Sequence, residues 1–337
     1  MGIGFLEGKV LNFGLILVLG LILASEFVNG WTDSPNAIAT VVSTKAMKPK
    51  WAVLMAVIGN IIGAFYGREV AKTIGTGIVK PEAINLVTVG AAMVGIVIWS
   101  TVVSLLGLPT SESHALVAGL AGASLAIAGP GVLILSGWKK VLIGLVVSSF
   151  FGFAGGFGTA WFIRSFFDDL PKEKSNRVFN ILQIISAAGM AISHGSNDGQ
   201  KFIGIFTLAL VLSGLLPTFA VQPWVIILCS LVMGIGTSVG GWRIIEKIGT
   251  KMVKIEPEQG FAAQSTATAL ILFASSLGVP LSTTHTINTA IMGAGASKGF
   301  STINWEIVKE LVIAWILTFP ICGAIGFLTA LLFKRVL

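Results

Sequence analysis

Long apolar runs are the feature that most constrains what this chain can fold into. Two of them, residues 85–108 and 305–333, exceed the ~20 residues that a helix needs to cross a bilayer. Only 11% of the residues are charged, whereas soluble domains carry roughly 25%. The runs are continuous rather than alternating in short segments, which favours helices. The sequence therefore predicts an all-α integral membrane protein of the multi-pass type.

The net charge of +7 is modest, and its lysines and arginines are spread over the loops between the apolar runs. Such a distribution is typical of anchoring at the surface of a lipid bilayer. A nucleic-acid-binding surface would instead concentrate the basic residues on one face or helix. We therefore expect the bilayer as a partner and no nucleic acid.

The chain contains an internal duplication. GWTDSPN (30–36) aligns with GSNDGQK (195–201), which places Asp33 opposite Asp198 at an offset of 165 (198 − 33). PTSESH (109–114) aligns with PLSTTH (280–285), at an offset of 171 (285 − 114). We predict a first repeat over 1–167, a polar linker over 168–177 and a second repeat over 178–337. Duplicated transporters often have inverted-topology repeats with the binding site between them, and we expect that arrangement here.

The first pair of motifs carries one aspartate each, Asp33 and Asp198, beside apolar segments. An ionisable side chain inside a membrane is costly, so such residues point to function. Pro35 is predicted to begin a new helix, with Ser34 or Asp33 as its cap. In the second motif, two glycines, 195 and 199, are predicted to interrupt the helix. Discontinuous helices of this kind expose carbonyl oxygens beside a carboxylate, which suits a small hard cation and not zinc.

The second pair of motifs has a different chemistry. Each follows a glycine that is predicted to end a long helix, Gly107 or Gly278, and each then opens a short helix of small residues. We expect paired re-entrant helical hairpins. The helix N-termini offer free N–H groups and the positive end of the dipole, an arrangement that binds oxyanions. Two facing N-termini would hold a tetrahedral anion from both sides. The alternative is that the hydroxyl groups only bond back to their own helix backbone.

The charges of the two pairs of motifs complement each other. Two carboxylates beside an oxyanion would repel it by several kcal/mol, and bound cations would turn that repulsion into attraction. Each charge moved across 100 mV costs about 2.3 kcal/mol, so a divalent anion entering a negative interior needs at least two accompanying cations. Two symmetric aspartates match that number.

These motifs resemble the inorganic phosphate transporter (Pit) family, and the resemblance covers both halves of the chain. It implies a secondary transporter with inverted repeats, moving phosphate together with Na⁺ or H⁺. It also implies a homodimer in the cell (inner or plasma) membrane, and neither an enzyme nor a bound cofactor. Trp31, Thr32, Gln200 and Lys201 depart from the family pattern, and Asn60 stands where some relatives carry a glutamate.

The predicted site combines three groups of residues. Sodium is expected at Asp33 and Asp198, with Asn36 and Asn197 as further ligands. Supporting roles are predicted for Thr32, His114, His194, Lys201 and His285. The predicted phosphate ligands are Thr110, Ser111, Ser113, Gln200, Ser282, Thr283 and Thr284.

Several alternatives remain open at this point. Na⁺ is preferred because oxygen ligands cluster at the motifs, but His194 keeps proton coupling possible. A sulfate permease would share this build, although hydrogen phosphate, unlike sulfate, also needs a hydrogen-bond acceptor. Transport of a metal–phosphate complex would use the same residues. An intramembrane enzyme with a Ser–His–Asp set is disfavoured, because the hydroxyl residues are multiple and duplicated.

Overall fold

The fold is known from a computed structural model, which describes residues 13–66, 69–73, 79–167, 169, 171–279 and 281–335. These residues form helices and the loops between them, and their β-structure is limited to two isolated bridges, Val79 with Leu133 and Val253 with Ile303. The helices of the first half are α1 Phe13–Thr32, α2 Pro35–Ser43, α3 Pro49–Ala64, α4 Glu69–Thr73, α5 Leu86–Leu105, α6 Glu112–Ala128 and α7 Leu135–Phe167. Those of the second half are α8 Lys172–His194, α9 Gln200–Leu212, α10 Pro223–Val239, α11 Trp242–Glu246, α12 Pro257–Ser276, α13 Thr283–Ala296 and α14 Trp305–Phe333. The prediction of an all-helical protein is confirmed.

Equivalent helices of the two halves make equivalent contacts. Helix α1 packs on α10, and its counterpart α8 packs on α3, the counterpart of α10. In the same way α6 packs on α14, and α13 packs on α7. Each of these contacts joins one half to the other. The two halves are therefore interlocked, and side chains from both can reach one site.

Close backbone approaches repeat this correspondence at single residues. A methyl group added to Gly30 would lie 2.1 Å from the Met233 carbonyl oxygen, and one added to Gly195 would lie 2.2 Å from that of Asn60. The offset of 165 relates the two glycines, and an offset of 173 relates the two carbonyls (233 − 60). Only glycine permits backbones to approach this closely. The matched crossings support the duplication that the motifs predict.

Several helices are long and apolar enough to cross a membrane. Among the described residues the candidate spans are Phe13–Ser43, Leu86–Leu105, Leu135–Phe167, Lys172–Leu212 and Trp305–Phe333, with one further span if the bent pair Pro223–Val239 and Trp242–Met252 is counted as one. Helices α6 and α13, with 17 and 14 residues, are shorter than the ~20 residues of an ordinary span.

The two aspartate motifs differ from their predicted local structure. Pro35 begins α2 and Ser34 is its N-cap residue, as predicted, but the Ser34 side chain makes no capping hydrogen bond. Its hydroxyl pairs with Thr237 instead. In the second motif, the predicted interruption is wrong. Gly195–Gly199 form a π-helical turn that joins α8 to α9 without a break. π-Turns of this kind occur mostly within α-helices and often at functional sites.

The second pair of motifs folds as predicted at both ends. Gly107 and Gly278 adopt φ of +73° and +67°, the left-handed conformation that ends helices α5 and α12. Ser111 and Ser282 then cap α6 and α13, accepting hydrogen bonds from the backbone N–H groups three residues later. Pro280 lies outside the described residues. Of the predicted linker, residues 172–177 are the first turns of α8.

Candidate functional site

The two aspartates of the repeated motif meet at one hydroxyl group. The Thr283 Oγ1 atom lies 3.2 Å from Asp33 Oδ2 and 3.1 Å from Asp198 Oδ2. All three side chains are buried. Asp33 is placed by the turn between α1 and α2, Asp198 by the π-turn, and Thr283 by the first turn of α13. Two repeats therefore contribute to a single site.

His194 completes a small cage around these carboxylate oxygens. Its Nε2 atom lies 3.8 Å from Asp33 Oδ2 and 3.9 Å from Asp198 Oδ2, and has no hydrogen-bond partner among the described residues. Its Nδ1 atom is 3.0 Å from Asn60 Oδ1, which fixes the ring. One ligand atom from each of the three residues lies within 4.8 Å of the others. The His194 Nε2 distances exceed hydrogen-bond length, so the imidazole faces both carboxylates without a hydrogen bond to either.

The other oxygen of each aspartate accepts a hydrogen bond from the side chain three positions later. Asn36 Nδ2 donates to Asp33 Oδ1 at 2.6 Å, and Lys201 Nζ donates to Asp198 Oδ1 at 2.6 Å. Asn36 and Lys201 are themselves related by the offset of 165 (201 − 36). Thr284 also donates to Asp33 Oδ1. The two halves of the site thus share one geometry but differ in charge.

The N-termini of α6 and α13 contact each other beside the aspartates. The Ser113 hydroxyl donates to the Leu281 carbonyl at 3.0 Å, and the Thr284 hydroxyl donates to the Thr110 carbonyl at 2.9 Å. These two bonds are related by the offset of 171. Of the predicted hydroxyl groups, those of Ser113 and Thr284 therefore link the two helix ends directly. Those of Ser111 and Ser282 accept from the backbone of their own helices, and that of Thr110 donates to Ser100 at 3.3 Å.

The remaining predicted residues lie at different distances from the cage. His114 and His285 contact each other edge to face, with ring centroids 4.9 Å apart. Asn197 Nδ2 donates to Ser275 at 2.8 Å, and Gln200 Nε2 donates to the Ala64 carbonyl at 2.6 Å. Thr32 donates to Glu112 at 3.3 Å. The described contacts thus join neither Asn197 nor Gln200 to the carboxylate oxygens.

A cavity of about 310 Å³ adjoins the helix N-termini. Its lining is largely apolar, with a polar end that includes Ser113, His114, Lys201 and Ser282. Four of the side chains predicted to bind or support the anion therefore face a space that is larger than a phosphate ion.

Sequence reasoning missed two buried glutamates beside this site. Glu26 accepts a hydrogen bond from Asn29 at 3.1 Å, and Glu112 accepts one from Thr32. Both carboxyl groups are buried, and each has one oxygen without a hydrogen-bond partner among the described residues. The signal was present, since both glutamates stand beside apolar runs where a carboxyl group is costly. Their counterparts in the second half are uncharged, however, so the duplication does not mark them.

A further polar cluster contacts the Nδ1 side of the His194 ring, opposite the Nε2 atom that faces the aspartates. Asn60 Nδ2 donates to the Ser34 hydroxyl at 2.7 Å and to Thr237 Oγ1 at 3.0 Å. Because Asn60 Oδ1 faces His194, this cluster orients the imidazole relative to both aspartates. Thr237 lies in a long apolar helix, and no motif in the sequence identifies it.

Known proteins resemble this chain in sequence and in fold. The profile of the phosphate transporter family matches residues 29–171 and 167–326. A probable low-affinity inorganic phosphate transporter of Bacillus subtilis (strain 168) is 39% identical over 314 residues, covering 92% of this chain and 94% of the relative. A protein of the same description from Rhizobium meliloti (strain 1021) is 38% identical over 316 residues, covering 92% and 94%.

A solved structure described as the sodium-dependent phosphate transporter has a similar fold. Its TM-score is 0.85, and the match covers 96% of this chain and 100% of that one. The sequence identity is 22%, so the similarity concerns the fold.

Proposed function

Because the chain belongs to the phosphate transporter family and is a transporter rather than an enzyme, we propose that it imports inorganic phosphate together with sodium ions by alternating access. The observation that carries this proposal is the convergence of Asp33 and Asp198, one from each half, on Thr283 and His194. A buried pair of carboxylates beside a neutral hydroxyl binds a hard cation well. The sodium dependence stated for the structural neighbour supports Na⁺ as that cation.

Phosphate binds at the adjoining N-termini of α6 and α13 in this proposal. The positive ends of two helix dipoles and the backbone N–H groups there favour an oxyanion. The Ser113–Leu281 and Thr284–Thr110 hydrogen bonds break when the hydroxyl groups turn to the anion. The bound cation lies between the anion and the carboxylates and offsets their repulsion, which couples the two substrates.

The repeats have inverted topology in this proposal, and α6 and α13 are the inner arms of re-entrant hairpins. Their short lengths and the interlocked packing of the two halves support this arrangement. Alternating access then follows when one half rocks against the other around the shared site. We place the protein as a homodimer in the cell membrane.

Phosphate uptake into proteoliposomes tests the proposal directly. Labelled phosphate is offered with an inward Na⁺ gradient alone, an inward H⁺ gradient alone, and neither gradient. We expect uptake only with the Na⁺ gradient, and no inhibition by a hundredfold excess of sulfate. Uptake driven by the H⁺ gradient alone would replace sodium by a proton, for which His194 between the two carboxylates is the acceptor. Inhibition by sulfate would indicate a less selective oxyanion transporter.

A further inference from the structure

Lys201 is a charged side chain in a place where charge is costly. It lies within the Lys172–Leu212 span and is 1% exposed. A lysine inside a membrane protein needs a partner, and such lysines commonly serve the transported substrate. At the repeat offset of 165 its counterpart is Asn36, a neutral amide that makes the same contact to Asp33. The second half of the site therefore holds one positive charge that the first half lacks.

The Lys201 ammonium is fully engaged by the protein. An ammonium has three N–H donors, and three acceptors surround it: Asp198 Oδ1 at 2.6 Å, Ser113 Oγ at 2.5 Å and the Leu281 carbonyl at 3.1 Å. No donor is left for phosphate in this geometry. Lys201 thus behaves here as a cation bound to Asp198 and to the junction of α6 and α13, where a mobile ion would have similar oxygen ligands.

The charge of Lys201 changes the number of cations that the two aspartates need. Two aspartates would bind two cations if both were free, but the charge of Asp198 is already balanced by Lys201. The Oδ2 atoms of both aspartates face the same cage with His194 and Thr283, and the ligand atoms of Asp33, His194 and Asp198 lie within 4.8 Å of one another, so the two aspartates form one candidate ion site rather than two. Building on the proposed function, we propose that Lys201 is a built-in cation that replaces one of the two coupling ions, so that the wild-type protein moves one fewer cation per phosphate than a variant without this charge.

The charge moved per phosphate tests this proposal. It is measured from the membrane potential at which phosphate flux reverses in proteoliposomes, with K⁺ and valinomycin setting the potential. Lys201→Asn makes the second half resemble the first, and we expect it to move about one additional positive charge per phosphate. Lys201→Arg retains the charge, so we expect the wild-type value. A Lys201→Asn protein that transports with the wild-type charge per phosphate overturns the proposal.

A second pair of variants covers the case in which Lys201→Asn is inactive. Lys201→Met, unlike Lys201→Asn, offers no polar group to help hold a replacement ion and leaves Asp198 without a cation, and we expect about a hundredfold loss of uptake, because breaking a buried ion pair is strongly unfavourable. Adding Asp198→Asn removes the uncompensated charge, and we expect uptake to recover at least about tenfold over Lys201→Met. If Lys201 instead bound phosphate, the double variant would remain as inactive as Lys201→Met, which overturns the proposal.

The failure of the proposed function has a different signature. If the wild-type protein takes up no phosphate under any gradient, the proposed transport is refuted before the variants are compared. If the wild-type protein transports phosphate with H⁺ instead of Na⁺, the sodium assignment fails. The reversal potential still gives the charge in that case when Na⁺ and H⁺ concentrations are equal on both sides, because it then depends only on the phosphate gradient and on the charge moved per phosphate.

Discussion

The two halves of the site place the same backbone geometry around side chains of different charge. In the first half, Asn36 donates to Asp33, and in the second, Lys201 donates to Asp198 at the same distance of 2.6 Å. The first turn of α6 carries Glu112, whereas the corresponding turn of α13 carries Thr283 at the offset of 171 (283 − 112). The duplicated fold thus supplies a symmetric frame, and single substitutions within it assign different tasks to its two sides.

The direction of these differences is consistent. The second half has a positive charge and a bridging hydroxyl group, while the first half has an aspartate without a lysine among its described partners and a buried glutamate. In the proposed function, the first half then supplies the carboxylate for the exchangeable cation, and the second half supplies fixed charge and positioning. Symmetry alone would have assigned both aspartates the same task.

Asp33→Asn is the variant with the largest expected effect. Asp33 lacks a permanent cation among its described partners, which are Asn36, Thr283, Thr284 and His194. Removing one partner of a buried ion pair, here the carboxylate that faces the proposed Na⁺, costs ~3–5 kcal/mol. We therefore expect Na⁺-driven phosphate uptake to fall by about a hundredfold or more. Asp169→Asn is the matched control, because Asp169 is exposed between α7 and α8. Wild-type uptake by Asp33→Asn would exclude this carboxylate from coupling.

Substitutions of the glycines at equivalent helix contacts test whether the two halves pack in the same way. In Gly30→Ala and Gly195→Ala, the new methyl group would lie 2.1 Å and 2.2 Å from a carbonyl oxygen of the other half. Overpacking of this kind typically costs ~1–3 kcal/mol, and we expect both variants to lower the melting temperature in detergent by similar amounts.

Gly20→Ala is the control for this pair, because a methyl group there would meet no atom within 4 Å, and we expect it to leave the melting temperature unchanged. A large loss of stability in only one of the two crossing variants would show that the two halves do not pack equivalently.

Thr283→Val tests the bridging hydroxyl with a smaller expected effect. Its Oγ1 atom lies near one oxygen of each aspartate, and valine keeps the shape without the polar atom. A hydrogen bond to a charged group contributes ~1.5–3 kcal/mol, so we expect the Na⁺ concentration for half-maximal uptake to rise about tenfold. Thr283→Ser should restore the wild-type value. If Thr283→Val needs no more Na⁺ than wild type, the hydroxyl group has no part in cation binding.

More of the helical fold than of the side-chain contacts could be predicted from the sequence. Apolar runs predicted the helices, and the glycines at 107 and 278 predicted where two of them end. The motif pairs also predicted that Asp33 and Asp198 belong to a binding site between the repeats, with Thr283 among its phosphate ligands, because costly ionisable residues at repeated positions within a membrane point to function. These inferences rest on the chemistry of neighbouring residues and on the duplication, both of which are visible in the amino-acid sequence.

Local conformation and asymmetry were harder to predict. Gly195 and Gly199 suggested a broken helix, but close packing of Gly195 against Asn60 keeps the segment helical as a π-turn. The two aspartates, predicted to hold sodium at separate motifs, instead contribute to one cage, since interlocking of the halves brings their Oδ2 atoms together. The ion pair between Lys201 and Asp198 joins side chains only three positions apart, yet the sequence does not show which other acceptors reach the ammonium. Those acceptors come from α6 and from the segment before α13, which only the packing of the two halves brings together.

The smallest expected effect concerns another matched pair, the helix starts at Asn85 and Glu256, which are also related by the offset of 171 (256 − 85). In both, the N-cap backbone N–H donates to the side chain three positions later, at 2.9 Å. Asn85 is neutral, whereas Glu256 forms an ion pair with Lys298 at 2.6 Å. The hydrogen bond from Lys298 holds the pKa of the Glu256 carboxyl below its ordinary value.

A carboxyl group with a lowered pKa stabilises the fold above its unfolded pKa, near 4.3, and this stabilisation is lost as the pH falls through the lower folded value. The pair is partly exposed and screened, so its contribution is ~0.2–1 kcal/mol. We therefore expect Glu256→Gln to be slightly less stable than wild type at pH 7 and this difference to be smaller at about pH 3. Asn85→Ala should instead lose the same amount at both pH values, because its amide does not titrate. If the stability loss of the two variants has the same pH dependence across this range, the charge of Glu256 does not distinguish the two helix starts.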